Sequence, residues 1–226
     1  LDAVFNLLCR RHLSICAVAH MNHLLQIASQ SVNIGNQHFE FPNVAIQNGE
    51  LVGLIGQSGS GKSILLRQLA GLMETQSPLT FNGTRKSFIF SRGGLFQHQT
   101  VRENLTLPTL FTKVSISKQR IDDILNEWNL VKIQHHFPAQ LNPQATKITQ
   151  IARTILLQPD IAFIEKPLVG LSMGQSERLI QWIIEHTAAG RTVVYSEENR
   201  RIFHKLNPRL IDLGGGHDNL RTVMHR

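Results

Sequence analysis

Apolar residues along this chain follow two patterns, short uninterrupted runs and longer stretches in which they recur every three or four positions. The uninterrupted runs have the length of strands, and their lack of alternation is typical of strands buried on both faces of a sheet. These runs are Leu51–Ile55, Ile161–Ile164 and Thr192–Tyr195, and Leu210–Leu213 is predicted as a final strand. The pattern therefore predicts a sheet whose central strands are covered on both faces.

Stretches with helical spacing lie between these predicted strands. In one of them, Leu179, Trp182 and Ile183 fall on a common face, which we interpret as a stripe that packs on the core. The stretches are Ile64–Ala70, Ser117–Leu130, Ala145–Leu157 and Met173–His186. Because strands alternate with helices, the chain is predicted to be an α/β protein with a largely parallel sheet.

Short strand patterns without helices between them precede the first buried run. One of these patterns ends at Asn48-Gly49, and a later one turns at Asn82-Gly83, both of which are turn signals. The predicted strands are Leu24–Ile27, Val32–Ile34, Phe39–Ile46 and, further on, Phe88–Phe90, with a tight hairpin at Thr80–Thr84.

A glycine-rich stretch separates the first buried run from the helical stretch that follows it. It fits the pattern G-x-x-x-x-G-K-[ST], which wraps phosphate groups. The residues are Gly56, Gln57, Ser58, Gly59, Ser60, Gly61, Lys62 and Ser63, and Ile64 opens the helix. Glycines let successive backbone N–H groups turn toward a polyphosphate, the lysine brings positive charge, and the serine hydroxyl can ligate Mg²⁺. We therefore predict a nucleotide-binding P-loop at the N-terminus of this helix.

Composition narrows the classes of partner. The chain has 226 residues, of which 42% are hydrophobic, and its formal net charge of +7 favours anionic ligands such as nucleotides. Basic residues are scattered and are not interleaved with aromatic residues, so we expect no nucleic-acid partner.

Both cysteines, Cys9 and Cys16, lie near the start, and a reducing cytoplasm is the natural interpretation. No apolar run has the length needed to span a membrane.

Residues 1–20 differ in character from the rest of the chain. Apolar residues there surround Arg10 and Arg11 without the layout of a signal peptide. We expect this segment to be an extension of uncertain status, to which we assign no function, and residues 21–226 to form the nucleotide-binding domain.

Three further stretches make the chain resemble the ATP-binding subunits of ABC transporters from about Leu24 to Gly216. They are Leu95–Leu105, Ile151–Arg153 and Pro159–Pro167, which look like the segment after the family's Q-loop, the helix after its signature motif and its Walker B strand. Two shorter stretches look closest to ATPases of phospholipid-transport systems that work with mammalian-cell-entry-type proteins. These are Glu103–Pro108 and Pro167–Gly170.

The resemblance implies a P-loop NTPase fold, with an ABC-type core sheet, an antiparallel β subdomain and a helical subdomain at about residues 92–157. The short interval between Lys62 and Ser91 predicts that the antiparallel subdomain is trimmed. The resemblance also implies ATP and Mg²⁺ as cofactors, with Ser63 and Glu165 as metal ligands. The implied partners are transmembrane permease subunits and a second ATP-binding subunit, in a homodimer or a heterodimer. The implied location is cytoplasmic, on the inner face of the cell membrane.

Outside the P-loop, the positions that this family uses for hydrolysis carry other residue types. Ile34 stands at the adenine-stacking aromatic position, Ser91 at the Q-loop glutamine, Leu141–Ala145 at the LSGGQ signature, Glu165 at the Walker B aspartate, Lys166 at the catalytic glutamate, Ser172 at the D-loop aspartate and Glu198 at the switch histidine. We therefore expect both catalytic positions, Lys166 and Glu198, to be inactive.

Of these replacements, Lys166 is expected to lower the rate of ATP hydrolysis the most. A protonated lysine has no acceptor, so it cannot take a proton from an attacking water molecule. General-base catalysis contributes roughly 10²–10⁴ in rate, so hydrolysis is expected to be weak or absent. We expect Lys166 instead to bind a γ-phosphate oxygen or to pair with Glu165. Asn142-Pro143-Gln144, in place of small residues, would hinder the approach of a partner subunit's nucleotide.

Other functions stay open. One is a working ATPase with a non-standard site supported by a partner subunit. Another is a P-loop kinase or a nucleotide-dependent binding protein outside transport, which would need an arginine-rich lid. Arg85, Arg92 and Arg102 are candidates for such a lid but are not clustered in sequence. A copy under little functional demand is a further alternative, against which the intact P-loop argues.

Overall fold

A computed structural model describes residues 23–83, 85–111, 115–198 and 206–214. The predicted extension at residues 1–20 lies outside the described residues, as does the chain after Gly214. The proposed domain at residues 21–226 and its helical subdomain at about residues 92–157 therefore stay predictions.

A parallel sheet forms the centre of the fold. The described strands are β1 (Leu25–Ile27), β2 (Gln30–Ile34), β3 (Gln37–Phe41), β4 (Val44–Ile46), β5 (Leu51–Ile55), β6 (Leu79–Phe81), β7 (Lys86–Ile89), β8 (Ile161–Glu165), β9 (Thr192–Glu197) and β10 (Arg209–Asp212). Five of them form one sheet in the order β10-β5-β9-β8-β7, and every neighbouring pair in it is parallel. The α/β prediction is confirmed, and the uninterrupted apolar runs are strands of this sheet.

Helices cover both faces of the sheet. The described helices are α1 (Lys62–Ala70), α2 (Val101–Phe111), α3 (Lys118–Glu127), α4 (Pro143–Leu157) and α5 (Met173–Ala188), with 3₁₀ turns at Val131–Ile133 and Pro138–Gln140. Neighbouring residues of β8 belong to separate cores. Ile164 packs in a core with α4 and α5, whereas Phe163 packs in a second core with Leu65 of α1. None of the helices in the described part of the chain has the length and apolar composition needed to cross a bilayer.

The register of the parallel strands determines which residues lie together at the carboxyl edge of the sheet. Ile55 at the end of β5 is paired with Glu197 of β9, and Glu165 at the end of β8 is paired with Ser196. The carboxyl ends of these three strands therefore lie at one edge of the sheet, and the P-loop follows directly from β5. Ligands of open α/β sheets bind at this edge, outside the carboxyl ends of the strands.

The short strands form two antiparallel groups. A three-stranded sheet has the order β4-β1-β6, and β2 pairs with β3. The predicted hairpin at Thr80–Thr84 is wrong, because β6 pairs with β1 whereas β7 joins the parallel sheet. Asn82 does not turn the chain back; its backbone N–H donates to Leu24 O and its side chain donates to His23 O. The predicted single strand Phe39–Ile46 is split into β3 and β4 at Pro42-Asn43.

Helix α2 was not predicted from the apolar spacing. It begins with a capping box, in which Thr100 N–H donates to Glu103 Oε2 at 2.7 Å and Glu103 N–H donates to Thr100 Oγ1 at 3.3 Å. Asn104 is fully buried, and its side chain bonds to Phe96, Gln99 and Thr100. The T-x-x-E pattern at its start was the available signal, and the helix continues through Pro108.

His186 is buried on the inner side of α5 and is neutral at physiological pH. It is 4% exposed, its ring lies 4.4 Å from that of Trp182, and its Nε2 has no hydrogen-bond partner among the described residues. Its pKa is lowered to about 4, chiefly by burial and then by the charge of Arg191, whereas a hydrogen bond to the Pro159 carbonyl and the charge of Asp160 oppose this shift. Protonation of this ring therefore disfavours the folded state.

This burial predicts a loss of stability in acid. The pKa of His186 is 6.5 in the unfolded chain and about 4 in the folded one, so the unfolded chain binds more protons as pH falls through this range. The free energy of unfolding should fall by about 1–2 kcal/mol between these pH values because of this residue, allowing for solvent screening. Urea unfolding across this range should show a weaker pH dependence for His186→Gln. The exposed His135→Gln serves as control and should behave like the unmodified chain.

Candidate functional site

The glycines of the P-loop occupy positions that other residues could not take without strain. Gly56, Gly59 and Gly61 have φ values of 146°, 84° and 87°. A Cβ atom on Gly56 would lie 2.7 Å from Ser60 Oγ, and one on Gly61 would lie 2.9 Å from the rings of Phe39 and Phe41. The loop therefore passes too close to its neighbours for side chains at Gly56 and Gly61, whereas at Gly59 only the left-handed φ favours glycine.

The N-terminus of α1 is open to an anion. Gly61 is the N-cap residue, no side chain caps the helix, and its first turn contains no acidic residue. The first intrahelical bond in this turn runs from Leu65 N–H to Gly61 O. The backbone N–H groups of Lys62, Ser63 and Ile64 precede it, and as first-turn donors they have no partner within the helix. A helix end of this kind binds phosphate.

Lys62 lies against the loop that it follows. Its side chain is 6% exposed, and Nζ donates to Gly56 O at 2.8 Å and to Gln57 O. Burial lowers the pKa of Lys62, and the charge of Lys166 adds to this, whereas Glu198 and Glu197 raise it. An ammonium group has three donors, so Nζ can keep a loop carbonyl and still donate to a phosphate oxygen.

A cavity of about 200 Å³ lies above the P-loop and joins the predicted phosphate site to both predicted catalytic positions. Its wall consists of residues of the P-loop and of the first turn of α1, together with Phe39, Lys166 and Glu198. Most of the predicted nucleotide-binding residues therefore lie at one place. The others support the loop or lie elsewhere: Gly56, Gln57, Ser60 and Glu165 do not line the cavity.

Phe39 is a cavity residue that the sequence did not single out. The aromatic position was assigned to Ile34, which is in β2, is 39% exposed and does not line this cavity. Phe39 is in β3 and stacks on Phe41, with ring centroids 6.2 Å apart. Phe39 and Phe41 are two positions apart in β3, so their rings lie on the same face of the strand. That face meets the P-loop only in the folded protein.

Glu165, the predicted metal ligand, is held by two neighbours. Its carboxylate is 1% exposed, and Oε1 accepts from Arg67 Nε and Nη2, each at 2.9 Å. Oε2 accepts from both the backbone N–H and the hydroxyl of Ser91, each at 3.1 Å. Ser91, which stands at the Q-loop position, therefore anchors this carboxylate. Arg67 was not predicted, because an arginine on a helix next to a P-loop carries no sequence signal for this pairing.

The assignment of Glu165 as a metal ligand stays a prediction, and this geometry counts against it. Mg²⁺ requires near-ideal octahedral oxygen coordination, and both oxygens of Glu165 already accept two hydrogen bonds each. No group of three or more His, Cys, Asp or Glu residues that could hold a metal ion occurs within the described ranges. Ser63, the other predicted metal ligand, lines the cavity described above, and its role as a ligand stays a prediction. Glu165, the carboxylate predicted to hold Mg²⁺, therefore fits this ion poorly.

Lys166 pairs with Glu198, not with Glu165 as the sequence allowed. Its Nζ lies 3.1 Å from Glu198 Oε1, and the two side chains are 43% and 44% exposed. The hydrogen bond from Lys166 and its positive charge lower the pKa of Glu198, with a smaller contribution from Lys62. The residues at the catalytic and switch positions are thus brought together as an ion pair on the cavity wall.

The backbone of Lys166 is fixed by a buried lysine. Lys166 has φ of 45°, which non-glycine residues rarely adopt, and its N–H donates to Ser196 O at 3.0 Å. Lys147 of α4, 4% exposed, donates through Nζ to the carbonyls of Glu165 and Lys166. Burial lowers the pKa of Lys147 to about 8. This lysine is a positioning residue that sequence reasoning missed, since nothing local marks it as buried.

Glu197 is buried next to these lysines. It is 5% exposed; Oε1 accepts the Glu198 N–H at 2.8 Å, whereas Oε2 has no hydrogen-bond partner among the described residues. Its charge raises the pKa of both Lys62 and Lys147. Sequence reasoning passed over Glu197, because only the pairing of β9 with β5 places it beside the P-loop.

The signature segment Leu141–Ala145 forms the start of α4. Asn142 is the N-cap and accepts the Ala145 N–H at 2.7 Å, while Pro143, at the first helical position, has no N–H. Gln144 donates from its side chain to Gln175 at 3.0 Å. Two of the backbone groups that could bind phosphate here are therefore removed or already occupied. Ser172, at the D-loop position, likewise caps α5.

Three proteins of similar sequence are named as ATP-binding proteins of importers. A probable sulfate/thiosulfate import ATP-binding protein of Chlorella vulgaris is 31% identical over 68% of this chain and 71% of its own length. A sulfate/thiosulfate import ATP-binding protein of Agrobacterium fabrum is 29% identical, over 76% of this chain and 55% of its own length. A sulfate/thiosulfate import ATP-binding protein of Synechocystis is 30% identical, over 67% of this chain and 48% of its own length. The chain thus spans about half the length of these bacterial relatives. None of the three is named for phospholipid transport, so they give no support to that narrower resemblance.

Solved structures show the same fold. An ATP-binding subunit of an ABC transporter has a TM-score of 0.76 and 24% identity, covering 84% of this chain and 86% of its own. A dimeric ATP-binding cassette in a post-hydrolysis state, bound to ADP and Pi, has a TM-score of 0.70 and 22% identity, covering 84% and 94%. At these identities the likeness concerns the fold alone, and it confirms the ABC-type P-loop NTPase prediction.

A family model described as ABC transporter matches residues 40–169, which is more than half of the chain. Together with the relative that is 31% identical over two thirds of the chain, this match shows that the chain belongs to the ABC transporter family and carries its ATP-binding domain.

Proposed function

We propose that this chain is the ATP-binding subunit of an ABC-type membrane transporter, and that it binds ATP but hydrolyses it weakly or not at all. The observation that carries the proposal is the cavity above the P-loop. It joins an uncapped helix N-terminus and Lys62 to Lys166, where the family has its catalytic glutamate. Phosphate binding needs donors, which the cavity has, whereas water activation needs an acceptor, which Lys166 does not offer.

Binding of the nucleotide base is assigned to Phe39. It supplies the aromatic ring that Ile34 does not, and it lines the same cavity as Lys62. Packing against Phe41 fixes its ring, so that a base can stack on it at little cost in side-chain entropy. The predicted Mg²⁺ site at Ser63 and Glu165 is not part of this proposal, because Arg67 and Ser91 hold the carboxylate.

Glu198 favours a second candidate function, a working ATPase with a non-standard base. Its carboxylate lines the cavity and is the acceptor nearest to Lys166. However, pairing with Lys166 lowers the pKa of Glu198, and a carboxylate with a lowered pKa is a weaker base. Weak hydrolysis is therefore the better supported of the two.

The signature segment has a consequence for assembly. In the resembled family, two subunits meet head to tail with ATP between one P-loop and the other's signature. Pro143 and the Asn142 cap leave few free N–H groups at this helix start, so this chain would contribute a poor signature to a partner's site. A homodimer would then have two weak sites, and in a heterodimer the partner's site would also be impaired.

The membrane role rests on family membership and on the relatives' names. We infer that transmembrane permease subunits are the partners and that they hold this chain at the inner face of the membrane. The relatives are import proteins for sulfate or thiosulfate, which favours an oxyanion importer over the phospholipid systems suggested by two short stretches. The kinase alternative has no support from these relatives.

Lys62→Ala should weaken ATP binding by about tenfold to a hundredfold, because Lys62 would donate charge-assisted hydrogen bonds to phosphate. Calorimetry on the purified chain measures the affinity, and phosphate release on the same sample measures turnover. Lys118→Ala removes an exposed lysine that does not line the cavity, and it should leave both unchanged. Steady hydrolysis at ordinary rates for the family, abolished by Lys62→Ala, would refute the claim of weak hydrolysis.

Lys166→Glu should raise the single-turnover rate of ATP hydrolysis by about tenfold or more, since it restores an acceptor at the position of the general base. Rapid-quench measurement with enzyme in excess over ATP isolates this step from product release. If the rate stays the same, and Glu198→Gln abolishes the hydrolysis of the unmodified chain, Glu198 is the base and the second candidate function is correct.

A further inference from the structure

The carboxylate that would hold a divalent cation is already neutralised. Glu165 is 1% exposed and forms a salt bridge with Arg67, and Ser91 donates twice to its second oxygen. Releasing it would leave the Arg67 charge without its partner and break hydrogen bonds in a buried place, which is costly. Positive charge for a nucleotide is therefore more easily supplied by protein side chains than by a metal bound to Glu165.

Lys166 is a cation held at the position where such charge is needed. It lines the same cavity as Lys62 and the N-terminus of α1. Its backbone is fixed by Ser196 on one side and by the buried Lys147 on the other. The left-handed conformation, with φ of 45°, is thus held by neighbouring residues, as backbone strain at functional sites commonly is.

The partner of Lys166 can be exchanged at little cost. Glu198 and Lys166 are each more than two-fifths exposed, and exposed ion pairs contribute little to stability. An outer phosphate carries more charge than a carboxylate and presents three acceptor oxygens. Because ATP without a metal ion carries additional negative charge, its attraction to Lys62 and Lys166 is stronger than that of the metal complex.

We propose that the outer phosphate of ATP displaces Glu198 from Lys166, and that this lysine supplies the charge that a divalent cation supplies in an ordinary P-loop site. ATP therefore binds to this chain without Mg²⁺. The proposal rests on the proposed function, since it concerns the same P-loop site. The proposed function does not say which group balances the phosphate charge, whereas this inference assigns that role to Lys166.

The test compares ATP affinity with and without metal in the full chain. Calorimetry is performed once in excess Mg²⁺ and once in EDTA, at the same ionic strength. For the unmodified chain, ATP should bind in EDTA no more than about threefold more weakly than in excess Mg²⁺. In EDTA, Lys166→Gln should weaken binding by about tenfold or more, the loss expected for a charge-assisted hydrogen bond. Glu198→Gln should strengthen binding in EDTA, because it removes the competitor for Lys166.

Two variants separate loss of charge from loss of structure. Lys166→Arg keeps the positive charge and should retain most of the metal-free binding, whereas a purely structural role would not distinguish it from Lys166→Gln. Lys118→Gln and Glu177→Gln change exposed residues outside the cavity and should have no effect. Thermal unfolding of each variant shows whether the fold is retained.

The outcomes are distinct. Binding in Mg²⁺ but not in EDTA would overturn this inference and leave the proposed function intact. Equal binding in EDTA by Lys166→Gln and by the unmodified chain would also overturn the inference. Absence of ATP binding in both conditions would refute the proposed function and the inference together.

Discussion

Parallel pairing of β5, β9 and β8 is the constraint on which the site depends. The three strands are buried on both faces, so their register is fixed by packing as well as by hydrogen bonds. This register places the P-loop, Glu197 and Glu165 at one edge, although they are far apart in sequence. A slip of one residue would turn every side chain of a strand to the other face, which would break both cores and remove the carboxylates from this edge.

Charge at that edge is arranged in pairs. Arg67 balances Glu165, Lys166 balances Glu198, and the buried Lys147 and Glu197 lie close enough to interact. Each buried charge would be costly alone, and their mutual compensation makes the arrangement tolerable. Glu165 is 1% exposed although its partner Arg67 is 41% exposed, whereas Lys166 and Glu198 are both more than two-fifths exposed. This difference in burial, more than the residue types, separates a structural ion pair from one that a ligand can exchange.

The local sequence was sufficient to predict the P-loop and the order of strands and helices. The glycine spacing, the lysine after it, and the apolar runs predicted a strand, a phosphate loop and a helix, because each depends on neighbours within a few residues. The helical faces of α4 and α5 followed from their period in the same way. Prediction failed at Asn82-Gly83, where a turn signal ended an edge strand, and at α2, whose capping box was passed over. The first error concerns which segment pairs with which, a choice made by packing, whereas the second concerns a local signal.

By itself, the sequence determined that this chain is an α/β protein with a P-loop, and that Lys166 and Glu198 replace catalytic residue types of the resembled family. Only the tertiary structure decided their partners. Pairing with Glu165 was one of two expectations for Lys166, the other being a γ-phosphate oxygen, yet adjacent residues at the end of a strand point in different directions. Arg67 reaches Glu165 from α1, and Glu198, the residue after β9, reaches Lys166. Phe39 likewise meets the P-loop only across the fold, because contacts between distant segments form when the cores pack, and no local pattern records them.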